Sequence, residues 1–267
     1  MAVSLESIAK GQRLLPPKVV LYGVGGIGKT SFAASAPRPI FIMTEEGQGS
    51  LDFERFELRP EEPVVKTWQE IIDCVTVLAS EDHDYQTVVI DTLDFAEPLL
   101  HTHTAEKYGK ADIEAFGYGK GYGYALDEFR VLLTGLDWLR NKKGMIILLL
   151  AHCESKKFEN PDSDSYDRWK LRLRDNLAAL VHDWSDALLF CNYRAYIVKE
   201  DAGFNKERSR GVGQGERVVF TEARPAWQAK NRYSLPSELV LPKEQPWMVF
   251  QNAIAAAHSA SLPNQEG

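Results

Sequence analysis

Eight consecutive residues constrain this chain more than any others: Gly23, Val24, Gly25, Gly26, Ile27, Gly28, Lys29 and Thr30. They satisfy G-x-x-x-x-G-K-[ST], the spacing of a loop that wraps the phosphates of a nucleoside triphosphate. Glycines let the backbone reach positive φ and turn its N–H groups inward around an anionic chain. The helix that begins there adds the positive end of its dipole. Lys29 is spaced to reach the β- and γ-phosphates, and the Thr30 hydroxyl to hold Mg²⁺. Context separates this loop from a chance Gly-rich turn. A short apolar run (Val19–Tyr22) precedes it, and a small-residue helix candidate (Ser31–Ala36, closed by Pro37) follows. The phosphate-contacting stretch is therefore read as Gly23 through Ser31.

Five apolar runs of strand length punctuate the chain: Val19–Tyr22, Ile40–Met43, Thr87–Ile90, Met145–Leu150 and Ala187–Phe190. None alternates with polar residues, as suits strands covered on both faces of a parallel sheet. Helical spacing falls between them, at Trp68, Ile71, Ile72, Val75 and Leu78, at Leu126, Phe129, Leu132, Leu133, Leu136 and Leu139, and at Leu177, Leu180, Val181 and Trp184. Strands alternating with helices predict a doubly wound α/β core. Later, Tyr193–Lys199 and Arg217–Thr221 read as the arms of a hairpin whose tip is Glu200–Glu216. The Gly211–Gly215 segment within that tip reads as flexible linker, having neither strand-to-helix context nor a Lys-Ser/Thr ending. A final amphipathic helix (Trp247, Phe250, Ile254, Ala257) precedes a polar tail, SLPNQEG, expected to be disordered. The expected organisation is a lead-in over 1–17, a core domain over 18–236, and a helix and tail over 237–267.

Candidate reacting groups stand where the apolar runs end. TVVIDTLD places Asp91 at a strand terminus, where an acid downstream of a phosphate loop is read as the second Mg²⁺ ligand, commonly through water. A helix-capping aspartate is the plainer alternative, and Thr92 and Asp94 would cap equally well. The second run ends in Glu45 and Glu46. Strand ends in such a sheet line one crevice, so a carboxylate there can orient water at the γ-phosphate. Adjacent residues of an extended chain face opposite ways, so only one of the two can do so; Glu45 is chosen. His152, ending IILLLAH, can sense the γ-phosphate or be a satisfied loop histidine.

Two further segments carry cations and aromatic rings. Glu154–Arg174 contains Lys156, Lys157, Arg168, Lys170, Arg172 and Arg174, interleaved with Phe158, Tyr166 and Trp169. That mixture suits single-stranded nucleic acid, through phosphate contact and base stacking. Its W-K-L-R-L-R stretch equally suits the start of an amphipathic helix with a basic solvated face. Lys107–Tyr124, with four tyrosines and Lys120 among its glycines, is either a second stacking loop or an ordered loop packed on its own rings. Lys230 and Arg232 form a K-x-R pair beyond the last core strand, and cations lent by a neighbouring subunit are a known device in phosphoryl transfer.

The bulk composition narrows the setting. A net charge of −7 over 267 residues excludes a uniformly basic nucleic-acid binder but leaves room for a local basic groove. Three separated cysteines with no C-x-x-C pair point to a reduced, cytosolic setting rather than a disulfide or zinc framework. No apolar run is long enough to cross a membrane.

Taken in order, the phosphate loop, Glu45, Asp91, His152 and the K-N-R of AKNRYSLP resemble the RecA-like ATPase core. Phe116–Tyr122 resembles a segment of phage-encoded single-strand annealing proteins of the Sak type, and K-N-R resembles the matching motif of RadA-type branch-migration ATPases. The resemblance spans Lys18 to Pro236. It implies ATP and Mg²⁺ as cofactors, hydrolysis at subunit interfaces of a homo-oligomer, and single-stranded DNA bound through Lys107–Tyr122 and Glu154–Arg174. It also implies a role in recombination, annealing or repair, alongside a single-strand-binding protein as a partner. Neither the separate N-terminal polymerisation domain nor the large C-terminal domain of full-length RecA has a counterpart. Two other functions remain in view: a loader ATPase of the same core that remodels a protein partner, and a small-molecule kinase. The kinase is disfavoured because no lid of converging arginines is evident.

Overall fold

The computed structural model describes residues 4–10, 15–160, 164–194, 196–201, 207–212 and 215–261. Four of the five apolar runs become strands of nearly the expected length: β1 (Lys18–Gly23), β2 (Pro39–Met43), β4 (Thr87–Asp91) and β7 (Ala187–Tyr193). The remaining one opens a much longer strand, β5 (Ile146–Phe158). A two-residue strand, β3 (Glu54–Arg55), lies beside β2. The parallel part of the sheet runs β7-β1-β5-β4-β2-β3. β5 thus lies between the strand that feeds the phosphate loop and the strand that ends in Asp91. The mixed α/β core with a mostly parallel central sheet flanked by helices is the one the sequence leads one to expect.

The helices follow the apolar spacing. α1 (Lys29–Ala34) leaves the phosphate loop. α2 (Trp68–Ser80) opens with a capping box, in which Thr67 accepts from the Glu70 N–H and the Glu70 carboxylate accepts from the Thr67 N–H. α4 (Lys120–Trp138) and α5 (Asp175–Trp184) bury the leucine stripes that the spacing marks. α3 (Leu93–Lys107) carries no such stripe and contains Pro98. Its buried face is a sparse ladder of Leu93, Ala96, Leu100 and Thr104, too thin for apolar periodicity to reveal. α2, α3, α4 and α5 cover one face of the sheet. α1 and α6 (Pro246–Ser261) cover the other, where Phe32 stacks edgewise on Trp247 and Phe250.

The C-terminal half departs from the sequence reading in three places. β10 (Arg217–Phe220) pairs antiparallel with Phe190–Tyr193 of β7, so of the expected arm Tyr193–Lys199 only Tyr193 faces it and Tyr196–Lys199 pair elsewhere; β12 (Glu238–Leu241) pairs with β10, so the chain beyond residue 236 continues the main sheet. The expected hairpin tip instead contains a strand of its own. β8 (Tyr196–Asp201) pairs with β9 (Glu207–Val212) in a separate two-stranded ribbon, so Gly211 and Val212 are paired residues rather than linker. Gly213, Gln214 and the tail from residue 262 lie outside the described residues.

The W-K-L-R-L-R stretch opens as a strand, not a helix: its first three residues close β6 (Tyr166–Leu171), which pairs antiparallel with the outer half of β5, Cys153 to Phe158, and Arg172–Arg174 follow the strand. Its cations and apolar residues alternate strictly from Arg168 to Arg174, a period of two, and Leu171 and Leu173 are buried. The tyrosine-rich segment is ordered. Tyr108, Phe116 and Tyr124 form a mutual cluster, and its last glycines open α4. No helix among the described residues is long and apolar enough to cross a membrane, and Cys74, Cys153 and Cys191 are free thiols.

Candidate active site

The loop is shaped by what surrounds it. Gly23 ends β1 in register with Cys191 of β7, and a β-carbon there would overlap the Cys191 carbonyl oxygen. Gly26 and Gly28 hold φ of 71° and 100°, conformations that L side chains rarely adopt. Ile27 is fully buried between them and pins the loop to the α1-side core. Gly25 and Gly26 are open, and Val24 and Ser31 are half-buried.

Lys29 is only 6% exposed and donates to the Gly23 and Val24 carbonyls at 3.3 and 3.2 Å, so its ammonium lies across the loop. Burial lowers its pKa, against the charges of Asp91, Asp94 and Glu45. Thr30 Oγ1 donates to Asp91 Oδ2 at 2.8 Å. Asp91 is 2% exposed, and burial pushes its carboxyl up to about 6, the Thr30 bond and the Lys29 charge opposing while the Glu45 charge adds. A hydroxyl and a carboxylate converging in this way are hard oxygen donors. They fit Mg²⁺, which binds few protein ligands and completes its shell with phosphate oxygens and water.

A pair of threonines ties the next two strand ends together. Thr44 Oγ1 donates to the Thr92 carbonyl at 2.6 Å and accepts from the Thr92 N–H at 2.7 Å. Thr92 Oγ1 in turn donates to Glu45 Oε1 at 3.1 Å. Glu45 is thereby held beside Asp91, while Glu46 is exposed. His152, at the point where β5 leaves the core, places Nδ1 3.8 Å from Glu45 Oε1. Lys29, Thr30, Asp91, Glu45 and His152 therefore converge at one end of the sheet.

Asp94, in the first turn of α3, is the knot beneath this group. It accepts from the His152 backbone N–H at 2.8 Å, lies 3.1 Å from His152 Nδ1, and accepts from Arg172 Nε at 3.0 Å. Its side chain is 2% exposed. Burial alone would raise its pKa, but the bonds from His152 and Arg172 outweigh that and hold the carboxyl well below the usual range. Arg172 stands just past the end of β6, and its N–H donates to the His152 carbonyl at 3.0 Å. The phosphate-loop end of the sheet and the root of the β5–β6 hairpin thus share one hydrogen-bonded cluster.

The remaining residues expected to touch nucleic acid fall into distinct settings. Lys156 pairs with Asp175 at 3.2 Å, and Lys170 with Glu154 at 3.3 Å and with Asp175. Arg168 lies over the Phe158 ring, 5.1 Å from its centroid, and Lys157 is exposed. Trp169 is half-buried against Phe190 and donates its backbone N–H to the Ala226 carbonyl, a core position rather than a free stacking face. Lys120 is exposed at the start of α4, away from the hairpin in sequence. The two segments nevertheless meet, because the Arg174 guanidinium stacks 3.3 Å from the centroid of Tyr122. A cleft of about 620 Å³ opens beside this contact, lined by Glu97, Glu154, Lys156, Lys170, Arg172 and Arg174 among others.

Lys230 and Arg232 lie at the far end of the sheet. Lys230, in the two-residue strand β11 (Lys230–Asn231), pairs with Leu188 near the start of β7, whereas the phosphate loop adjoins Cys191. Lys230 Nζ donates to the His182 and Asp183 carbonyls at the end of α5, at 2.7 and 2.9 Å. Arg232 pairs with Asp186 at 3.4 Å and keeps 56% of its side chain exposed.

Reading by motif missed Asp94, Thr44 and Thr92 as parts of the site. Asp94 had a signal, since it follows Asp91 by three residues at the start of a helix, but that signal could not be told from a cap. Thr44 and Thr92 act only because β2 and β4 are neighbours.

A family model described as an AAA domain matches residues 15–233. Among solved structures, one titled "Crystal structure of the RadB recombinase" aligns over 85% of this chain and 87% of that chain, at 15% identity and a TM-score of 0.45. No curated protein matches the sequence.

Proposed function

The chain belongs to the AAA domain family, and on that premise we propose that it binds and hydrolyses ATP and acts on single-stranded DNA in recombination, annealing or repair. The observation that carries this reading is the single cluster joining the triphosphate end of the sheet to the hairpin root, through Glu45, His152, Asp94 and Arg172. Lys29 and the loop N–H groups bind the phosphates. Thr30 and Asp91 hold Mg²⁺, which neutralises charge developing on the phosphates. Glu45 orients the attacking water, and His152 lies beside it, positioned to register the γ-phosphate and pass its presence to Arg172 and the hairpin. Lys157 and Arg168 on the hairpin, with Lys120 and the fully exposed Tyr118 on the neighbouring segment, supply cations and a ring to a strand.

Arg232 and Lys230 stand too far around the sheet to serve their own phosphate loop, which favours a homo-oligomer in which they complete a neighbour's site. Arg232 is the freer of the two, since Lys230 is engaged by the end of α5. The single-strand annealing and branch-migration relatives suggested by the motifs, with a single-strand-binding protein as a partner, belong to this same reading. One observation favours a second reading, an assembly or loader ATPase that remodels a protein. Lys156, Lys170 and Arg172 already have carboxylate partners, so part of the basic surface is neutralised.

ATP turnover measured with and without a single-stranded oligonucleotide, alongside solution mass, tests the proposal. Stimulation by the strand together with a rise in mass is the expected result. Turnover indifferent to DNA but raised by a protein would move the assignment to the loader, and absence of turnover would remove both.

A further inference from the structure

One cation near the phosphate loop has no place in the account above. Arg217 is the first residue of β10, opposite Tyr193 of β7 and Leu241 of β12. Side chains of a strand alternate faces, so Arg217 shares the face of Val219, which is buried with Ile27, Phe32 and Ala33 of the loop and α1. Val219 is level with Cys191, itself level with Gly23 at the end of β1. Two residues further out along the same face, Arg217 overhangs the loop.

The overhang is close. A β-carbon on Gly28 would overlap Arg217 Nη1, with the guanidinium carbon 3.5 Å away. Among the described residues, Arg217 donates to the Pro242 carbonyl, and no carboxylate forms an ion pair with it. A guanidinium of which one nitrogen is tied to a carbonyl keeps further N–H groups for another acceptor, and it is suited to phosphate oxygens.

We propose that Arg217 is a second phosphate-binding cation of the same protomer, gripping the α- and β-phosphates of a nucleoside di- or triphosphate from the side opposite Glu45. The strand order sets which phosphates it meets. Asp91 ends β4, His152 lies in β5 and Glu45 follows the end of β2, all on one side of β1, whereas β7 and β10 lie on the other. On the proposed function the γ-phosphate would face the first group, so a cation arriving from β10 would meet the opposite end of the phosphate chain. The inference rests on the nucleotide reading and extends it. In this arrangement Gly28 is needed for clearance as well as for its positive φ.

Calorimetric titration of ADP and ATP, at low and moderate salt, into the full chain and into Arg217→Ala and Arg217→Lys tests it. Arg217→Ala is expected to weaken ADP and ATP alike by about tenfold or more, with partial recovery in Arg217→Lys and an unchanged unfolding midpoint in the absence of nucleotide. Equal loss for the two nucleotides is the signature of the α- and β-phosphates. Binding by Arg217→Ala within twofold of the unaltered chain overturns the inference, as does a loss confined to ATP. If Arg217→Ala does not fold, Arg217→Gln takes its place under the same criteria. An unaltered chain that binds neither nucleotide overturns the functional reading and this inference together. Tight binding by both chains overturns this inference alone.

Discussion

Asp94→Asn is the sharpest perturbation of the cluster that links the phosphate-loop end of the sheet to the hairpin. The substitution keeps the shape and one oxygen, so the bond from the His152 N–H at 2.8 Å can persist. It removes the charge and turns an amide N–H₂ toward Arg172 and the His152 ring, setting donor against donor. A hydrogen bond to a charged group is worth about 1.5–3 kcal/mol when its surroundings are buried. The His152 contact qualifies in full, since Asp94 is 2% and His152 19% exposed. Arg172 is 47% exposed, so its share is screened and falls to about 0.2–1 kcal/mol. The expected loss is therefore about 2–4 kcal/mol, a large fraction of a domain stability of about 5–15 kcal/mol, but one that leaves the chain folded.

Urea unfolding at pH 7 gives the loss directly, and its pH dependence supplies a second criterion. The folded carboxyl sits below its ordinary value of 3.8, so its ionised form stabilises the fold at every pH above that value. The contribution is lost as the pH falls through the folded pKa. The gap between the unaltered chain and Asp94→Asn should hold from pH 7 to about 4 and narrow below that. A double-mutant cycle with Arg172→Ala should return the smaller, screened share. A loss under about 0.5 kcal/mol at pH 7, or a gap that widens in acid, would refute the reasoning.

Other outcomes follow from single contacts. Lys29→Ala should abolish nucleotide binding in a titration, and unchanged turnover would remove the phosphate-loop assignment. Glu45→Gln should retain ATP but slow hydrolysis by about 100-fold or more in a steady-state assay; near-normal turnover would shift the role to Glu46 or elsewhere. Gly23→Ala should cost about 1–3 kcal/mol in urea unfolding, because the new methyl meets the Cys191 backbone, which has little room to yield. Mixing Arg232→Ala subunits with Glu45→Gln subunits should restore some ATPase activity at hybrid interfaces, and a mixture as inactive as its parts would count against cations lent between subunits.

The sheet and most of its helices were legible because burial on both faces writes itself as unbroken apolar runs, and burial on one face as a 3.6-residue stripe. α3 escaped because only two of its buried residues, Leu93 and Leu100, are large and apolar, and because it carries Pro98 in its interior. The β5–β6 hairpin escaped for another reason. Lys156, Lys157 and Phe158 carry no strand pattern of their own, and only the alternation across Arg168–Arg174 marks the returning arm. Within the candidate site, Lys29 and Thr30 are singled out by the motif and Asp91 by its place at a strand end. Residues fixed by neighbours could not be named in this way, since Thr44 meets Thr92, and Arg217 meets Gly28, only after distant segments become adjacent in the sheet. Glu45 and Glu46 were equivalent in sequence, and the Thr92 hydroxyl distinguishes them.

β5 passes from the centre of the sheet into the hairpin without a break, and this gives the molecule a lever. His152 sits near its fulcrum, and at about 3.3 Å per residue the last residue of the strand, Phe158, lies roughly 20 Å beyond. A tilt of about 3° at His152 would then swing the hairpin end by roughly 1 Å. The leverage also runs in reverse: a load placed on the hairpin tip would bear on His152, whose Nδ1 lies 3.8 Å from Glu45.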